Sequence, residues 1–222
     1  MPTGIAIRGP REQLFDAAER ILLGEGQSGL TSRAVTAEAG FAKGVLHWHF
    51  ADFDAFLAEL VVDRIARIEH RAATLRDSGD YGTGVGSLTD ALTDLFGSVA
   101  VAIVALIISR DNLRARLRQA RPSGVPLLTE ATAMIASYLT IERDLGRITA
   151  DADVDTLAPM LIGTGHLLFV AHATAPPEAP AVAKVVTKVV TAAAASVIPE
   201  SPPQTSPTPG RHTGNTSNLI RK

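Results

Sequence analysis

The chain contains no cysteine among its 222 residues. Disulfide frameworks, thiolate nucleophiles and cysteine-ligated zinc or iron–sulfur centres are therefore excluded together. Aromatic residues are scarce, at 5%, with a single tryptophan and two tyrosines. Charge is also limited: 20% of residues are charged and the formal net charge is −2. A polycation that coats nucleic acid or membrane by charge alone is ruled out, so any nucleic-acid surface must be local. Asn-Gly and Asp-Gly turns between alternating runs are missing, and the β-branched residues fall in helical rows, so strands are not expected. Neither a His-Glu-x-x-His pair nor a glycine-rich phosphate loop occurs, which leaves no catalytic constellation and calls for no metal or cofactor. What the chain does have is 46% hydrophobic residues and a mean hydropathy of +0.17. That suffices for one large core or two small ones. The expected fold class is all-α.

Residues 1–9 include Arg8 but no apolar run, so they do not read as a signal peptide, and a cytoplasmic protein is expected. Residues 95–109 and 156–177 are uncharged. The second run holds Pro159, Gly163, Gly165, His166 and His172 and lacks a basic flank, so it reads as a buried bundle helix rather than a membrane span.

Pro10 suits a first helical position, and Leu14, Phe15, Ala18, Ile21 and Leu22 then recur on one helix face until Gly24 and Gly26. Thr31 is a candidate N-cap for a short helix over 32–39, stopped by Gly40 in the left-handed conformation. A third helix is predicted over 43–49. Asp52 caps a long fourth helix to about residue 75, along Phe56, Leu60, Val61, Ile65 and Ile68. Glycines and aspartates over 77–86 mark a break. Further helices are predicted over 87–109, 111–119, 126–145, 153–173 and 180–197. The last carries a stripe of Val182, Val185, Val186, Val189, Val190, Ala193 and Val197. The expected organisation is a flexible terminus over 1–9, a unit of short helices over 10–51, a second helical domain over 52–198, and a disordered Pro/Ser/Thr-rich tail over 199–222.

The informative segment runs from Leu30 to Phe50. Val35 and Ala39 face inward on its first helix, Phe41 plugs the turn, and Leu46 and Phe50 face inward on the second helix, the spacing of a helix-turn-helix. Lys43, His47 and Trp48, with Val45 nearby, are left on the outer face. A tryptophan and histidines there suit contact with base edges and phosphates better than mere solvation. His47 and His49 lie two positions apart, roughly 200° around a helix, so they do not converge on one metal ion.

Over residues 11–60 the chain resembles the DNA-binding domain of the tetracycline-repressor (TetR) family. The resemblance rests on Phe15-Asp16-Ala17-Ala18, Thr31-Ser32-Arg33, Ala39-Gly40-Phe41 and Leu46-His47-Trp48-His49-Phe50. It implies that Thr31 and Ser32 touch phosphate, that Arg33 reaches a guanine edge or a phosphate, and that Lys43 meets bases or backbone. Val45 would pack on a thymine methyl, and His47, Trp48 and His49 would line the groove. Two departures stand out: His47 and His49 occupy positions where the family usually has tyrosines, and Phe53 replaces the usual phosphate-binding lysine. Residues 1–50 also hold five basic against five acidic side chains. That balance predicts modest non-specific attraction to DNA.

The resemblance further implies a homodimer through the last two helices, a palindromic double-stranded operator, a small apolar effector and no membrane. The apolar surfaces of 157–170 and 182–197 exceed what one subunit readily hides, in keeping with dimerisation. Candidate effector-lining residues are Phe96, Ile103, Met134, Tyr138 and Phe169, each also explicable as core. The block Arg110, Arg114, Arg116, Arg118 and Arg121 reads as a solvated helix face. The expected function is a ligand-responsive DNA-binding regulator, a repressor released by its effector. The alternative is a helical interaction protein whose helix-turn-helix does not bind DNA.

Overall fold

A computed structural model describes residues 9–78, 84–97, 99–172 and 175–195. The expected flexible terminus and disordered tail, apart from Gly9, lie outside the described residues. The described chain is helical throughout, as its periodicity predicts.

Pro10, whose fixed φ suits a first helical position, opens α1 (Pro10–Gly24). Gly26, with φ +70°, then leads into a one-turn helix that the sequence pattern did not predict, α2 (Gly26–Gly29). Thr31 caps α3 (Ser32–Glu38): its Oγ1 accepts a hydrogen bond of 3.1 Å from the Ala34 amide. Gly40 ends that helix with φ +73°. The Phe41 amide donates to the Thr36 carbonyl at 2.8 Å and the Gly40 amide to Ala37 at 3.1 Å, the paired bonds of a Schellman motif. The recognition-position helix α4 is shorter than predicted (Val45–His49), because Lys43 and Gly44 form the turn before it. Asp52 Oδ1 accepts from the Ala55 amide at 2.7 Å and so caps α5 (Phe53–Ser78).

One helix was predicted over 87–109, but two are formed, α6 (Gly84–Phe96) and α7 (Ala100–Ser109). The Gly97 amide bonds the Thr93 carbonyl at 2.7 Å, and a Cβ at Gly97 would lie 2.5 Å from that oxygen. Only glycine fits at this position, and the uncharged run over 95–109 passes through the break without marking it. The chain continues through α8 (Asp111–Ala120), α9 (Leu128–Asp144), α10 (Val154–Ala171) and α11 (Ala179–Ala195). Asp153 caps α10, accepting from the Thr156 amide at 3.1 Å.

The N-terminal helices close around Leu14, Ala18, Val35, Leu46 and Leu60, all sealed from solvent. Phe15, Phe50 and Phe56 join them with ring centroids 5.1–5.9 Å apart. In the C-terminal half, α6 packs on α11, while α10 packs against both α9 and α11. Helix α10 is long and apolar enough to cross a membrane by composition, but here it is a packed helix of this bundle.

Candidate nucleic-acid interface

The geometry of α3 and α4 separates an inner from an outer face residue by residue. Leu46 is fully buried and Phe50 is 3% exposed, whereas Trp48 between them is 85% exposed. Arg33, Lys43 and His47 are exposed beside it, Thr31 is exposed, and Ser32, Val45 and His49 are half-buried. The sequence-predicted residues therefore lie on one connected pair of helices. A helix of this length cannot hold its orientation by itself. Its inner residues and a neighbour do so: the Arg11 guanidinium sits 4.6 Å from the Phe50 ring centroid and donates to the His49 carbonyl at 3.4 Å. Arg11 also pairs with Glu59 on α5. This role for Arg11 was not legible in the sequence, since its contact is 38 residues away.

The local charge balance of zero is resolved by tertiary pairing. Glu38 binds Arg20 at 2.6 Å, Glu19 lies 3.7 Å from Arg64, and Asp16 lies 3.9 Å from Arg67. Burial raises the Glu19 carboxyl above its ordinary range against the opposing pull of Arg64 and Arg67. Arg33 and Lys43 form no ion pair among the described residues. The outer face of α3 and the turn before α4 therefore carry positive charge, although the first fifty residues as a whole do not.

Phe53, where a phosphate-binding lysine was expected by resemblance, stacks on Phe56 at 5.6 Å with an interplanar angle of 21°. The arginine block is solvated only in part: Arg116 and Arg118 are exposed and Arg110, Arg114 and Arg121 are half-buried, but among the described residues all except Arg118 are held in ion pairs. Arg110 pairs with Asp54 and Arg116 with Asp52, each at 2.8 Å. Arg121 pairs with Glu130 at 2.7 Å, and Arg114 with Asp111. Only tertiary packing brings most of these acids within reach.

A second exposed surface lies on α10. Thr156, Pro159, Met160, Gly163, Thr164, Leu167, Val170 and Ala171 form an uncharged outward stripe, with Leu167 68% exposed. In the described part of the α11 stripe, Val182, Val186 and Val189 are buried and Val185 and Val190 are half-buried within one subunit, whereas the side chain of Ala193 and the whole of Val197 lie outside the described residues. Among the described residues, the apolar surface left over thus belongs mainly to α10.

The effector candidates are spread over four helices, α6, α7, α9 and α10. Phe96 and Phe169 are buried with centroids 5.9 Å apart, and the His166 ring lies 5.6 Å from Phe96. Nδ1 of His166 is buried without a hydrogen-bond partner among the described residues. Burial holds that imidazole below its ordinary pKa of 6.5. Ile103 is fully buried in α7, and Met134 is half-buried on α9. Tyr138, also on α9, lies beside Ser87 and Glu142, and burial is the leading cause that raises its phenol above 10. Glu142, 1% exposed, pairs with Arg147 at 3.1 Å. In sequence it stands in the charged run Glu142-Arg143-Asp144, where nothing marks it as the buried member.

Comparison with known proteins agrees with this architecture. Residues 14–60 match the family model described as bacterial regulatory proteins, tetR family. No curated protein matches the chain. Among solved structures, a TetR transcription regulator from Haloarcula marismortui is 16% identical, with a TM-score of 0.61 over 82% of this chain and 97% of that one. FadR from Bacillus subtilis, solved in complex with stearoyl-CoA, is 19% identical, with a TM-score of 0.61 over 81% and 97%. The multidrug binding protein EbrR, solved with imidazole, is 21% identical, with a TM-score of 0.52 over 82% and 96%. At these identities the likeness is one of fold.

Proposed function

We propose that this chain, in which residues 14–60 form a DNA-binding domain of the tetR regulatory family, is a cytoplasmic repressor that binds a palindromic operator as a homodimer and is released by a small effector. The observation that carries the reading is the exposed tryptophan: Trp48, 85% exposed, shares the outer surface of the helix-turn-helix with Arg33, Lys43 and His47 while Leu46 anchors the other side. A soluble protein gains nothing by presenting an indole to water, whereas a groove wall offers it apolar and stacking contact. In this reading Thr31 and Ser32 donate hydroxyl hydrogen bonds to phosphate, and Arg33 and Lys43 reach phosphate or guanine edges. Val45, His47, Trp48 and His49 line the groove.

Two copies would pair through the outward stripe of α10 together with α11, a four-helix bundle that presents two recognition helices to successive major grooves. An effector held in the C-terminal helices, near Phe96 and Phe169, would favour one spacing of those helices over another and so shift the population away from the operator-bound form. The ligands named in the FadR and EbrR structures support reading this half as a receiver of small molecules.

The test is selection of duplexes from a randomised pool by the purified dimer. The selected sequences should converge on an inverted repeat, and binding should shield Trp48, the sole tryptophan, from a neutral quencher. Selection that yields no consensus, with indole quenching unchanged by DNA, would overturn the proposal in favour of an interaction protein.

A further inference from the structure

We infer that Arg110 and Arg116 are positioning residues: through Asp54 and Asp52 they clamp the start of α5, and with it the recognition helix α4, against α7 and α8. The inference rests on the reading of α4 as the DNA-facing helix. Helix α4 ends at His49, and only Phe50 and Ala51 separate it from Asp52. Asp52 uses both carboxylate oxygens. Oδ1 caps α5 through the Ala55 amide at 2.7 Å, and Oδ2 accepts from Arg116 at 2.8 Å. Two residues on, Asp54 Oδ1 accepts from Arg110 at 2.8 Å, and the same guanidinium lies 5.6 Å from the Phe53 ring centroid.

Arg110 is also the residue that joins α7 to α8. That joint is braced by Arg114, which donates to the Ile108 carbonyl at 2.8 Å. A third link completes the clamp, from Ser109 Oγ to Gln27 Oε1 on α2 at 2.6 Å. Three polar contacts that span 56, 64 and 82 residues of sequence thus converge where the helix-turn-helix meets the rest of the molecule. Both ion pairs remain partly open to water. Such pairs are weak and screened by salt, which makes the clamp breakable rather than a permanent weld. A displacement of α8 is passed directly to Asp52, three residues from the end of α4.

The absence of cysteine makes the test clean. Spin labels at Ala42→Cys and Gln119→Cys, both exposed positions, report the distance from the recognition segment to α8; an excess of unlabelled chain isolates the distance within one subunit. The parent should give a narrow distribution. Arg110→Gln/Arg116→Gln should broaden or shift it, and Arg110→Lys/Arg116→Lys should restore it. Asp52→Asn, which keeps an oxygen for the α5 cap, should give a partial effect. About 0.5 M salt should broaden the parent and leave the double Gln variant unchanged. Affinity for a selected duplex should fall roughly five- to twentyfold in the double Gln variant and recover in the Lys variant. A double Gln variant that is folded by circular dichroism but superimposes on the parent distribution overturns the inference. If the distribution responds as described while no form binds any duplex, the clamp stands and the DNA-binding reading falls.

Discussion

Helices α4 and α10 both leave large apolar side chains in water, yet they do so in opposite ways. On α4 a single indole stands among arginine, lysine and histidine, on a helix too short to persist without Leu46 and Phe50 beneath it. On α10 the exposed residues beyond Asp155 in its first turn are small or aliphatic, carry no charge and follow one another along a helix already packed on α9 and α11. The first surface is polar with one apolar anchor, which suits a charged polymer with apolar groove elements. The second is continuous and uncharged, which suits a copy of itself. The lesson is that exposure of a hydrophobic residue has no meaning until its neighbours are read with it.

The sharpest way to break this contrast is Leu167→Glu. If the α10 stripe is a dimer face, a charge there must be buried without a partner, at a cost of about 3–5 kcal/mol to assembly. Sedimentation should show monomers at micromolar concentration with an unchanged helical spectrum, whereas an α10 face that stays in water would tolerate the change.

Helix α4 gives the next largest effect. Leu46→Ala should lower unfolding stability by about 2–5 kcal/mol, because it empties a sealed position. Trp48→Ala, two residues away, should change stability by no more than about 0.5 kcal/mol. The same substitution should weaken selected-duplex binding by about tenfold or more. Equal stability losses from the two substitutions in urea titrations would erase the inner and outer faces that the whole reading uses.

Gly40→Ala probes the turn between the two helices. At φ +73° a methyl group forces strain, and the expected loss is about 1 kcal/mol. A Gly40→Asn variant, which tolerates the left-handed region better, should lose less.

The smallest effect concerns pH. Because the folded-state pKa of His166 is depressed below 6.5, the unfolded chain takes up the proton first. The stability contributed by the neutral ring is complete above 6.5 and is lost as pH falls through the lower folded value. The urea midpoint should therefore fall between pH 8 and 5 more steeply in the parent than in His166→Gln. Asp52 and Asp153 are shifted downward as well, but for a carboxyl group that favours the charged form. Their cap hydrogen bonds, from the Ala55 amide and from Thr156 respectively, are the leading causes that hold them below 3.8. Their contribution is complete above 3.8 and disappears only in stronger acid, outside that window.

Much of the fold is legible one helix at a time. Thr31 and Asp52 are caps, Gly40 is a left-handed stop, and Leu46 and Phe50 face inward, each for reasons contained within about four residues of chain. The same locality makes the candidate interface readable, because Lys43, His47 and Trp48 are outward by elimination once their neighbours are turned in. Where the reading missed, the cause lay beyond that range. The break at Gly97 is hidden because the uncharged run over 95–109 passes straight through it, and the close approach of the Thr93 carbonyl that demands glycine is seen only in the folded chain. The ion pairs of the arginine block were not readable because Asp52 and Asp54 lie more than fifty residues earlier in the chain.

Sequence alone determined an all-helical chain, the positions of most of its helices and a helix-turn-helix with one aromatic outward, since caps and hydrophobic periodicity act over one or two turns. Tertiary structure alone decided which acids meet Arg110 and Arg116, why the first fifty residues keep a basic outer face despite zero balance, and that the described valines of α11 turn inward while α10 keeps an exposed apolar stripe. Those outcomes depend on distances between segments that close only when the core does, and no short-range preference encodes a partner that far along the chain.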